Sequence, residues 1–534
     1  MTPQIQIVVL LLVVVAAVAV LAMRLKTPPA ILLVLAGVLL ALIPGLPTVD
    51  LAPELVLLIV LPPVIYSSAF QMSWREFRFN LRPIALLAVG SVLFTAGVVA
   101  AAAHWLLNLS WGVGFVLGAI VAPPDAVAPL SIARRLRIPR RILVVLEGEG
   151  LANDATALIL YRFAVVAVSV NAFSPSRAVA TFAVIVVGEI VWGFAVGWAT
   201  LRLRYWVNEP RVELILAVLT PFLAYWPPQH LGGSGVLATL AAGLYVSWNG
   251  LRLIRSATRL QGVFFWDFLI YLIEGMLFLI TGLQARTLVE RIAQFSLSQL
   301  FVCAAVISAV VIVARFVWIF PATYIPRWVS ARLRRRDPSP PWQWVFALSF
   351  TGVRGIVSLA AALALPLTTF SGEPFPERDL ILLMTFSVIL VTLVGLGLLL
   401  PPVIRALGLA QAGDRERRAD RAQEHAARQQ AIKAVIERLE QLKADRNFSD
   451  DIVAPLRARH QERLRHVRRS SGEKDADLKY KDLHDEIELT LIAAEREHIN
   501  HMFRDGKLKD EARRRIERDL DLREAHFAGR GSEQ

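Results

Sequence analysis

The stretch EGEGLANDATALI, residues 147–159, places acidic side chains in the setting of a membrane helix. It holds three carboxylates, Glu147, Glu149 and Asp154, between the mostly apolar flanks RRILVVL and LYRFAVVAV. An unpaired charge at the centre of a bilayer costs at least about 2.5 kcal/mol, so ionisable groups at this depth are rare and usually functional. The stretch therefore predicts a membrane span that carries a functional carboxyl group.

The composition of the whole chain agrees with a membrane protein. The chain is 55% hydrophobic with a mean hydropathy of +0.53, and apolar runs recur along its first three quarters. Runs of about 20 apolar residues predict transmembrane helices, and residues 5–23 are long enough to be the first of these rather than a cleaved signal. The single cysteine, Cys303, excludes a disulfide within the chain. We expect an all-α, polytopic membrane protein.

The apolar pattern predicts about thirteen transmembrane helices. They are expected at residues 5–23, 29–45, 51–69, 83–107, 111–133, 141–169, 179–203, 212–226, 231–248, 263–283, 297–324, 343–366 and 379–406. Arginine-rich loops such as RRLRIPRR (134–141) alternate with loops poor in basic residues, such as NAFSPS (171–176). By the positive-inside rule the N-terminus lies outside and the C-terminus in the cytoplasm.

The chain is expected to divide into a transmembrane domain, residues 1–406, and a cytoplasmic helical tail, residues 407–534. Nearly all of the net charge of +13 lies in the first part, where the basic residues sit in short loops. That distribution indicates membrane topology and no nucleic-acid partner. The tail is charged and amphipathic, with an expected linker at 469–476. A regulatory or dimerisation role and a simple solvated appendage both stay open for it.

The fifth span contains VAPPDAVAPL, residues 121–130. Consecutive prolines at 123 and 124 remove backbone donors, so the helix is expected to break there, with a second interruption at Pro129. Irregular backbone at membrane depth is tolerated where it is buried in protein or lines a watery cavity. Asp125 lies at this break, where freed backbone groups can stabilise its charge or bind a cation.

In the sixth span, Glu149 and Asn153 share one helix face, while Gly150 and Asp154 share another. Neighbouring residues are about 100° apart around a helix, so Asp154 can face a cavity while Glu149 reaches a different partner. Glu274 and Glu189 are further carboxylates within spans, for which a proton path and pairing with Arg162 or Arg315 both stay open.

The twelfth span contains LSFTGVRGIVSLAAALALP, residues 348–366, in which Arg354 lies between Gly352 and Gly355. A buried arginine needs a carboxylate, and we expect Glu149 to be its partner, which leaves Asp154 available to a solute ion. The glycines suggest a second broken helix. Matching breaks in two halves are typical of an inverted-repeat secondary transporter with its site at the midplane.

At these residues the sequence resembles the monovalent cation:proton antiporter-1 family, the NhaP-type sodium/proton exchangers, over residues 5–406. The motifs that carry the resemblance are LPPVIY (61–66), PPDAVAP (123–129), EGEGLANDATALILYRF (147–163), SGVLATLAAGL (234–244), EGMLFLITGLQ (274–284) and GVRGIVSLAAALALP (352–366).

The resemblance implies an antiporter fold with two broken, crossing helices, a homodimer, and exchange of Na⁺ for H⁺. K⁺ and Li⁺ stay open as alternative cations. It makes Asp154 the carboxylate that binds cation and proton in turn, and Asp125 a further cation ligand. Asn153 marks an electroneutral exchanger, and Glu149 pairs with Arg354. If only the neutralised site can reorient, competition for Asp154 is itself the coupling between the two ions.

Three positions depart from the family pattern. Pro124 stands where a threonine is common, Gly150 where a serine is common, and Tyr66-Ser67 where a glutamate often follows the prolines. Water or backbone carbonyls are expected to replace the missing ligands. We assign Pro124 to the ion site and Gly150 and Ser67 to accessory positions. Glu274, the carboxylate within a span described above, is assigned to a further accessory position.

Two other functions have partial support in the sequence. Ser234, in GGSG (232–235), matches an intramembrane serine protease motif, but every histidine after His230 lies in the tail, so a base is missing. A cation channel fits the buried aspartate and the breaks, yet no repeated filter motif is present. We expect a transporter, not an enzyme, that needs no cofactor. Arginine outnumbers lysine, as in proteins from GC-rich bacterial genomes, so we place the protein in a bacterial plasma membrane. The family resemblance implies a role in pH and sodium homeostasis.

Overall fold

The computed structural model describes residues 3–43, 53–170, 175–207, 209–286, 297–369, 372–446, 448–469, 475–505, 507 and 510–531. The expected loop at 171–176 and the expected linker at 469–476 lie partly outside these residues. The chain divides into two compact units, Met1–Asp414 and Arg415–Gln534.

The first unit is built from helices, as the apolar runs predicted. In chain order they are α1 (Pro3–Leu25), α2 (Pro29–Ala41), α3 (Pro53–Gln71), α4 (Trp74–Phe79), α5 (Leu81–Leu107), α6 (Trp111–Val121), α7 (Val127–Arg135), α8 (Arg140–Val170), α9 (Pro175–Val207), α10 (Pro210–His230), α11 (Val236–Leu253), α12 (Ser256–Leu283), α13 (Leu297–Val329), α14 (Ala331–Arg336), α15 (Trp342–Phe350), α16 (Ile356–Leu363) and α17 (Arg378–Ala406).

Among the described residues, eight helices are long and apolar enough to cross a membrane. They are α1, α3, α5, α8, α9, α12, α13 and α17, and the apolar helices α2 and α6 are shorter. The all-α membrane class is therefore confirmed, while the count of thirteen spans stays a prediction. The other expected spans fall on shorter, interrupted or less apolar helices.

Two of the expected spans are interrupted in the structure. Helix α6 ends at Val121 and α7 begins at Val127, so the two prolines lie between them. Helix α15 ends at Phe350 and α16 begins at Ile356. The expected second interruption at Pro129 is wrong: Pro129 lies in the first turn of α7, where a missing N–H costs no helical hydrogen bond.

Small residues bring the membrane helices close together. Gly37 of α2 faces Gly282 of α12, and a Cβ on either glycine would overlap the backbone of the other helix. Gly193 of α9 lies against Ala238 of α11 in the same way. Close approach through small side chains is the usual means of packing helices in lipid, where no hydrophobic force drives them together. These contacts set the spacing between α2 and α12 and between α9 and α11.

The second unit consists of amphipathic helices. The described helices that form it are α18 (Leu409–Arg446, which begins within the first unit), α19 (Asp450–Arg469), α20 (Asp475–Arg504) and α21 (Asp510–Gly531). Exposed ion pairs link neighbouring helices, for example Arg457 with Glu440 at 2.5 Å and Arg523 with Glu495 at 2.9 Å. Exposed pairs of this kind contribute at most about 1 kcal/mol each, so the apolar faces carry most of the packing.

Candidate functional site

The two helix interruptions meet through their backbones. The N–H of Asp125, between α6 and α7, donates a 2.7 Å hydrogen bond to the carbonyl oxygen of Val353, between α15 and α16. Each break leaves helix-end groups without intrahelical partners, and these groups must be satisfied inside the protein. The contact satisfies one group from each break and sets Asp125 beside the second one.

Asp125 is held at this crossing from two sides. Its Oδ1 accepts a 2.9 Å hydrogen bond from the N–H of Val127, so the carboxylate caps the start of α7. A carboxylate at a helix N-terminus is stabilised by the free N–H groups and the helix dipole. A Cβ on Gly355 would overlap the Asp125 carboxylate, so only glycine at 355 leaves room for it.

Helix α8 brings the Asn-Asp pair to the first break. The side-chain amide of Asn153 donates a 2.7 Å hydrogen bond to the carbonyl oxygen of Pro124, and Asn153 is fully buried. The next residue, Asp154, lines a cavity together with Asp125. Within the described part of the chain, the Asp154 carboxylate has no hydrogen bond or ion pair to a protein group. It is therefore available to an ion or a proton.

The cavity that contains both aspartates has a volume of about 680 Å³. Its polar lining includes Glu76, Arg134, Arg140 and Glu147, which lie near the ends of their helices, and it reaches inward to Asp154. Two exposed ion pairs hold this outer end: Arg134 to Glu147 at 2.5 Å and Arg140 to Glu76 at 2.5 Å. The cavity thus connects a charged rim with the deep carboxylates.

The expected pairing of Glu149 with Arg354 is wrong. Glu149 binds Arg315 of α13 in a bidentate ion pair, with Nη1–Oε1 at 2.5 Å and Nη2–Oε2 at 2.8 Å. Both residues are 1% exposed. Two parallel hydrogen bonds satisfy both charged groups with good geometry, which a pair buried in the membrane domain requires.

Arg354 instead donates hydrogen bonds to backbone carbonyls at both helix breaks. Its Nε donates to the carbonyl oxygen of Val121, the last residue of α6, at 2.6 Å. Its Nη1 donates to the carbonyl oxygen of Gly352 at 2.7 Å, and its backbone N–H donates to Oγ1 of Thr392 at 2.9 Å. Arg354 therefore satisfies carbonyls that both breaks set free. The carboxylate of Glu149 is near enough to attract it without a direct hydrogen bond.

The accessory positions all lie on the same cavity. Gly150, Ser67 and Glu274 line it with the two aspartates. A Cβ on Gly150 would come within 2.6 Å of the Cβ of Ala126, so the close approach of α8 to the first break accounts for glycine at this position. Glu274 pairs with neither Arg162 nor Arg315 in the described residues, since Arg162 donates to the carbonyl of Gly233 and Arg315 holds Glu149.

Glu189 has a structural role that the sequence did not reveal. Its buried carboxylate accepts hydrogen bonds from the N–H groups of Ser234 (2.5 Å), Gly235 (3.0 Å) and Leu237 (3.0 Å) at the start of α11. The Ser234 hydroxyl lies 3.1 Å from both carboxylate oxygens. The GGSG segment is thus a helix start capped by an acid, and Ser234 is engaged in that cap.

Sequence reasoning also missed two polar residues that the cavity brings together. Asp267 of α12 accepts a 2.9 Å hydrogen bond from Nε2 of Gln71, which lies 3.5 Å from the Ser67 hydroxyl. Asp267 and Glu274 are seven residues apart on one helix, so they share a face, and this spacing was the signal available. Among the described residues there is no group of three or more His, Cys, Asp or Glu arranged for a resident metal.

Known proteins resemble this chain over most of its length. A family model described as "Sodium/hydrogen exchanger, transmembrane" matches residues 8–406. An uncharacterized Na⁺/H⁺ exchanger of Mycobacterium tuberculosis is 34% identical over 513 residues, which cover 95% of this chain and 93% of that protein. A sodium, potassium, lithium and rubidium/H⁺ antiporter of Bacillus pumilus is 32% identical over 377 residues, which cover 68% of this chain and 56% of that protein.

The fold also resembles a solved structure. The sodium proton antiporter of Methanocaldococcus jannaschii at pH 8 superposes with a TM-score of 0.60 at 22% identity, and the match covers 76% of this chain and 98% of that one. At this identity the likeness concerns the fold alone. The family match covers both helix breaks, the Asn-Asp pair and the Glu149–Arg315 ion pair. The chain belongs to the sodium/hydrogen exchanger family.

Proposed function

We propose that this protein is a secondary active antiporter that exchanges Na⁺ for H⁺, with Asp154 binding the two ions in turn. One observation carries the proposal: Asp154 and Asp125 line the same deep cavity, and Asp154 has no partner among the described protein groups. An ionisable group left unpaired at membrane depth marks an ion pathway by default. A carboxylate can bind a hard cation or a proton, but not both at once.

The oxygen atoms around the cavity suit a monovalent cation. Asp154 and Asp125 supply carboxylates, and the Pro124 carbonyl keeps one lone pair after accepting from Asn153. Ser67 and Glu274 line the same space, and water completes the shell. We propose that these groups replace the hydroxyl ligands suggested by the family pattern, and that Gly150 serves by allowing α8 to approach the break.

The charges around the site favour electroneutral exchange. Glu149 is neutralised by Arg315, and Asn153 carries no charge. Asp154 is then the carboxylate whose occupant changes during the cycle, and one Na⁺ is exchanged for one H⁺. The matching family is described as a sodium/hydrogen exchanger, so we propose Na⁺ as the main substrate. Because a relative is named for Na⁺, K⁺, Li⁺ and Rb⁺, K⁺ and Li⁺ are further candidates.

The orientation of the protein in its membrane is proposed from the distribution of basic residues and from the family match. Arg134 and Arg140, at the rim of the cavity, belong to the basic segment 134–141, which joins α7 to α8 and which the positive-inside rule assigns to the cytoplasm. We therefore propose an inward-open cavity, an external N-terminus and a cytoplasmic tail in a bacterial plasma membrane. A homodimer and a role in pH and sodium homeostasis complete the proposal.

The decisive experiment measures cation-driven dissipation of an imposed pH gradient in proteoliposomes, with Na⁺, K⁺, Li⁺ or choline added outside. Wild type is expected to respond to Na⁺, and Asp154→Asn is expected to be inactive. Glu147→Gln is the matched control, because it removes a carboxylate from the rim of the same cavity and is expected to stay active. Full exchange by Asp154→Asn would move the site away from this residue.

A second measurement separates the antiporter from a cation channel. Na⁺ uptake is followed under an imposed membrane potential with no pH gradient. An electroneutral antiporter takes up no more Na⁺ than at zero potential, whereas a channel accumulates Na⁺ in proportion to the potential. Potential-driven uptake in wild type would replace the antiporter proposal with a channel.

A further inference from the structure

A second cleft in the first unit shares no lining residue with the cavity of Asp154. It lies between α5, α8, α13 and α15. Its polar wall contains Arg82, Arg141 and Arg327, and its apolar wall contains Leu86, Val145 and Leu348. The cleft therefore combines a cluster of cations with a hydrophobic surface.

The three arginines lie at one membrane face. Helices α5 and α8 begin at Leu81 and Arg140, and α13 ends at Val329. Each arginine is thus within three residues of the end of an apolar span. Since α5 and α8 start where α13 finishes, the three guanidinium groups reach the same interface, at the depth of lipid headgroups.

The charges in this cluster do not balance. Asp337 is the one carboxylate within 4 Å of these guanidinium groups in the described part of the chain: Arg141 Nη2–Oδ1 is 2.6 Å, Arg327 Nη2–Oδ2 is 2.6 Å and Arg82 Nη1–Oδ2 is 3.9 Å. Three positive charges thus face one negative charge. Nη1 of Arg82 is buried and has no hydrogen-bond partner in the described chain. A donor left in this state calls for an acceptor.

The lining identifies the chemistry of that acceptor. Arginine forks bind phosphate oxygens with charge-assisted hydrogen bonds, and basic pockets between transmembrane helices bind anionic headgroups. A free phosphate would leave the apolar wall of Leu86, Val145 and Leu348 unused, whereas an acyl chain would cover it. We propose that this cleft binds an anionic phospholipid, with its phosphate at Arg82 and its upper acyl chain against the apolar wall.

The structure also shows which substitution isolates the lipid contact. Arg141 and Arg327 hold Asp337 directly, so their loss would loosen the segment that follows α14. Arg82 is further from Asp337 and leaves both short ion pairs intact when removed. Arg334, exposed on α14 and outside the cleft, is the matched control for the loss of one positive charge near the same face.

The test is native mass spectrometry of the delipidated, full-length protein with equal amounts of dioleoyl phosphatidylglycerol and dioleoyl phosphatidylcholine. Wild type is expected to retain phosphatidylglycerol in preference to phosphatidylcholine. Arg82→Gln is expected to lose about fivefold in phosphatidylglycerol affinity, since a basic residue near anionic lipid contributes about 1 kcal/mol. Arg82→Lys keeps the charge without the fork and is expected to bind between wild type and Arg82→Gln. Arg334→Gln is expected to bind nearly as wild type.

Three results would overturn the proposal. One is equal retention of the two lipids by wild type. The second is an equal loss in Arg82→Gln and Arg334→Gln, which would mean general surface attraction. The third is displacement of phosphatidylglycerol by inorganic phosphate at the same concentration, which would make the cleft a plain anion site.

Discussion

The side-chain amide of Asn153 donates a 2.7 Å hydrogen bond to the carbonyl oxygen of Pro124, which ties the sixth predicted span to the first helix break. Pro124 lies in the break, two residues before the N-cap of α7 at Ala126, so its carbonyl accepts no hydrogen bond of the helical pattern. An uncharged amide donates to that carbonyl without adding charge beside Asp154. The neutral residue before the aspartate thus has a structural task as well as an electrostatic one.

Replacement of Asn153 by alanine should therefore destabilise the protein. The Pro124 carbonyl would remain buried without its donor, at a cost of about 1–3 kcal/mol. The melting temperature of the purified protein in detergent measures the effect. Asn249→Ala is the control, since its amide bonds the carbonyl of Tyr245 within the same helix. An equal, small decrease in both variants would mean that the link to the break is dispensable.

Folded yields of variants can distinguish the observed ion pair, Glu149–Arg315, from the pair expected from sequence, Glu149–Arg354. Arg315→Gln leaves a buried carboxylate without its partner, which costs about 3–5 kcal/mol. We expect little folded protein from Arg315→Gln or Glu149→Gln alone, and partial recovery in the double variant. Size-exclusion chromatography of detergent extracts gives the folded yield.

The double variant Arg354→Gln/Glu149→Gln is the comparison for the double variant Arg315→Gln/Glu149→Gln. Because Arg354 bonds carbonyls rather than Glu149, the second substitution should bring no recovery. Recovery in this double variant and not in the Arg315 variant would instead favour the Glu149–Arg354 pair.

Gly355→Ala should abolish cation exchange. A Cβ at 355 would overlap the Asp125 carboxylate and force it from its place at the crossing. Exchange is measured in proteoliposomes with the protein amount matched by immunoblot. Gly97→Ala is the control, because a Cβ there meets no atom within 4 Å and alanine favours the helix. Normal exchange by Gly355→Ala would show that Asp125 need not occupy its observed position.

Competition at a single carboxylate predicts a simple pH dependence. In the acidic range, where protons occupy Asp154, the Na⁺ concentration for half-maximal exchange should rise by about tenfold per pH unit, because one proton displaces one cation. The maximal rate at saturating Na⁺ should change much less. Initial rates across Na⁺ concentrations at each pH provide both values. A half-saturating Na⁺ concentration independent of pH would exclude a shared site.

The sequence was informative where one segment decides the outcome by itself. Apolar runs revealed the all-α membrane class, because burial in lipid requires them whatever the neighbouring helices do. Pro123 and Pro124 could be assigned to an interruption for a similarly local reason, since proline lacks the donor that a helix needs. Asp154 stood out because a charge in such a run requires an explanation.

Contacts between segments that are distant in the chain could not be predicted from the sequence. Glu149 had two buried arginines to choose from, and helix periodicity shows which face a residue occupies but not which other helix lies opposite. Arg315 sits in an otherwise apolar run, VVIVARFVWIF, that gives no sign of its partner. The cap that Glu189 forms on α11 depends likewise on how α9 and α11 pack, which no local pattern encodes.

The hydrogen bond from the Asp125 N–H to the Val353 carbonyl is made by peptide groups, which every non-proline residue at position 125 would retain. This hydrogen bond at the crossing therefore does not depend on the identity of the side chain at position 125. Side chains that line the cavity, such as Ser67, can differ without removing this contact between peptide groups. The backbone contact that joins the two breaks is thus separate from the side chains that line the cavity, so the lining can be altered without breaking that joint.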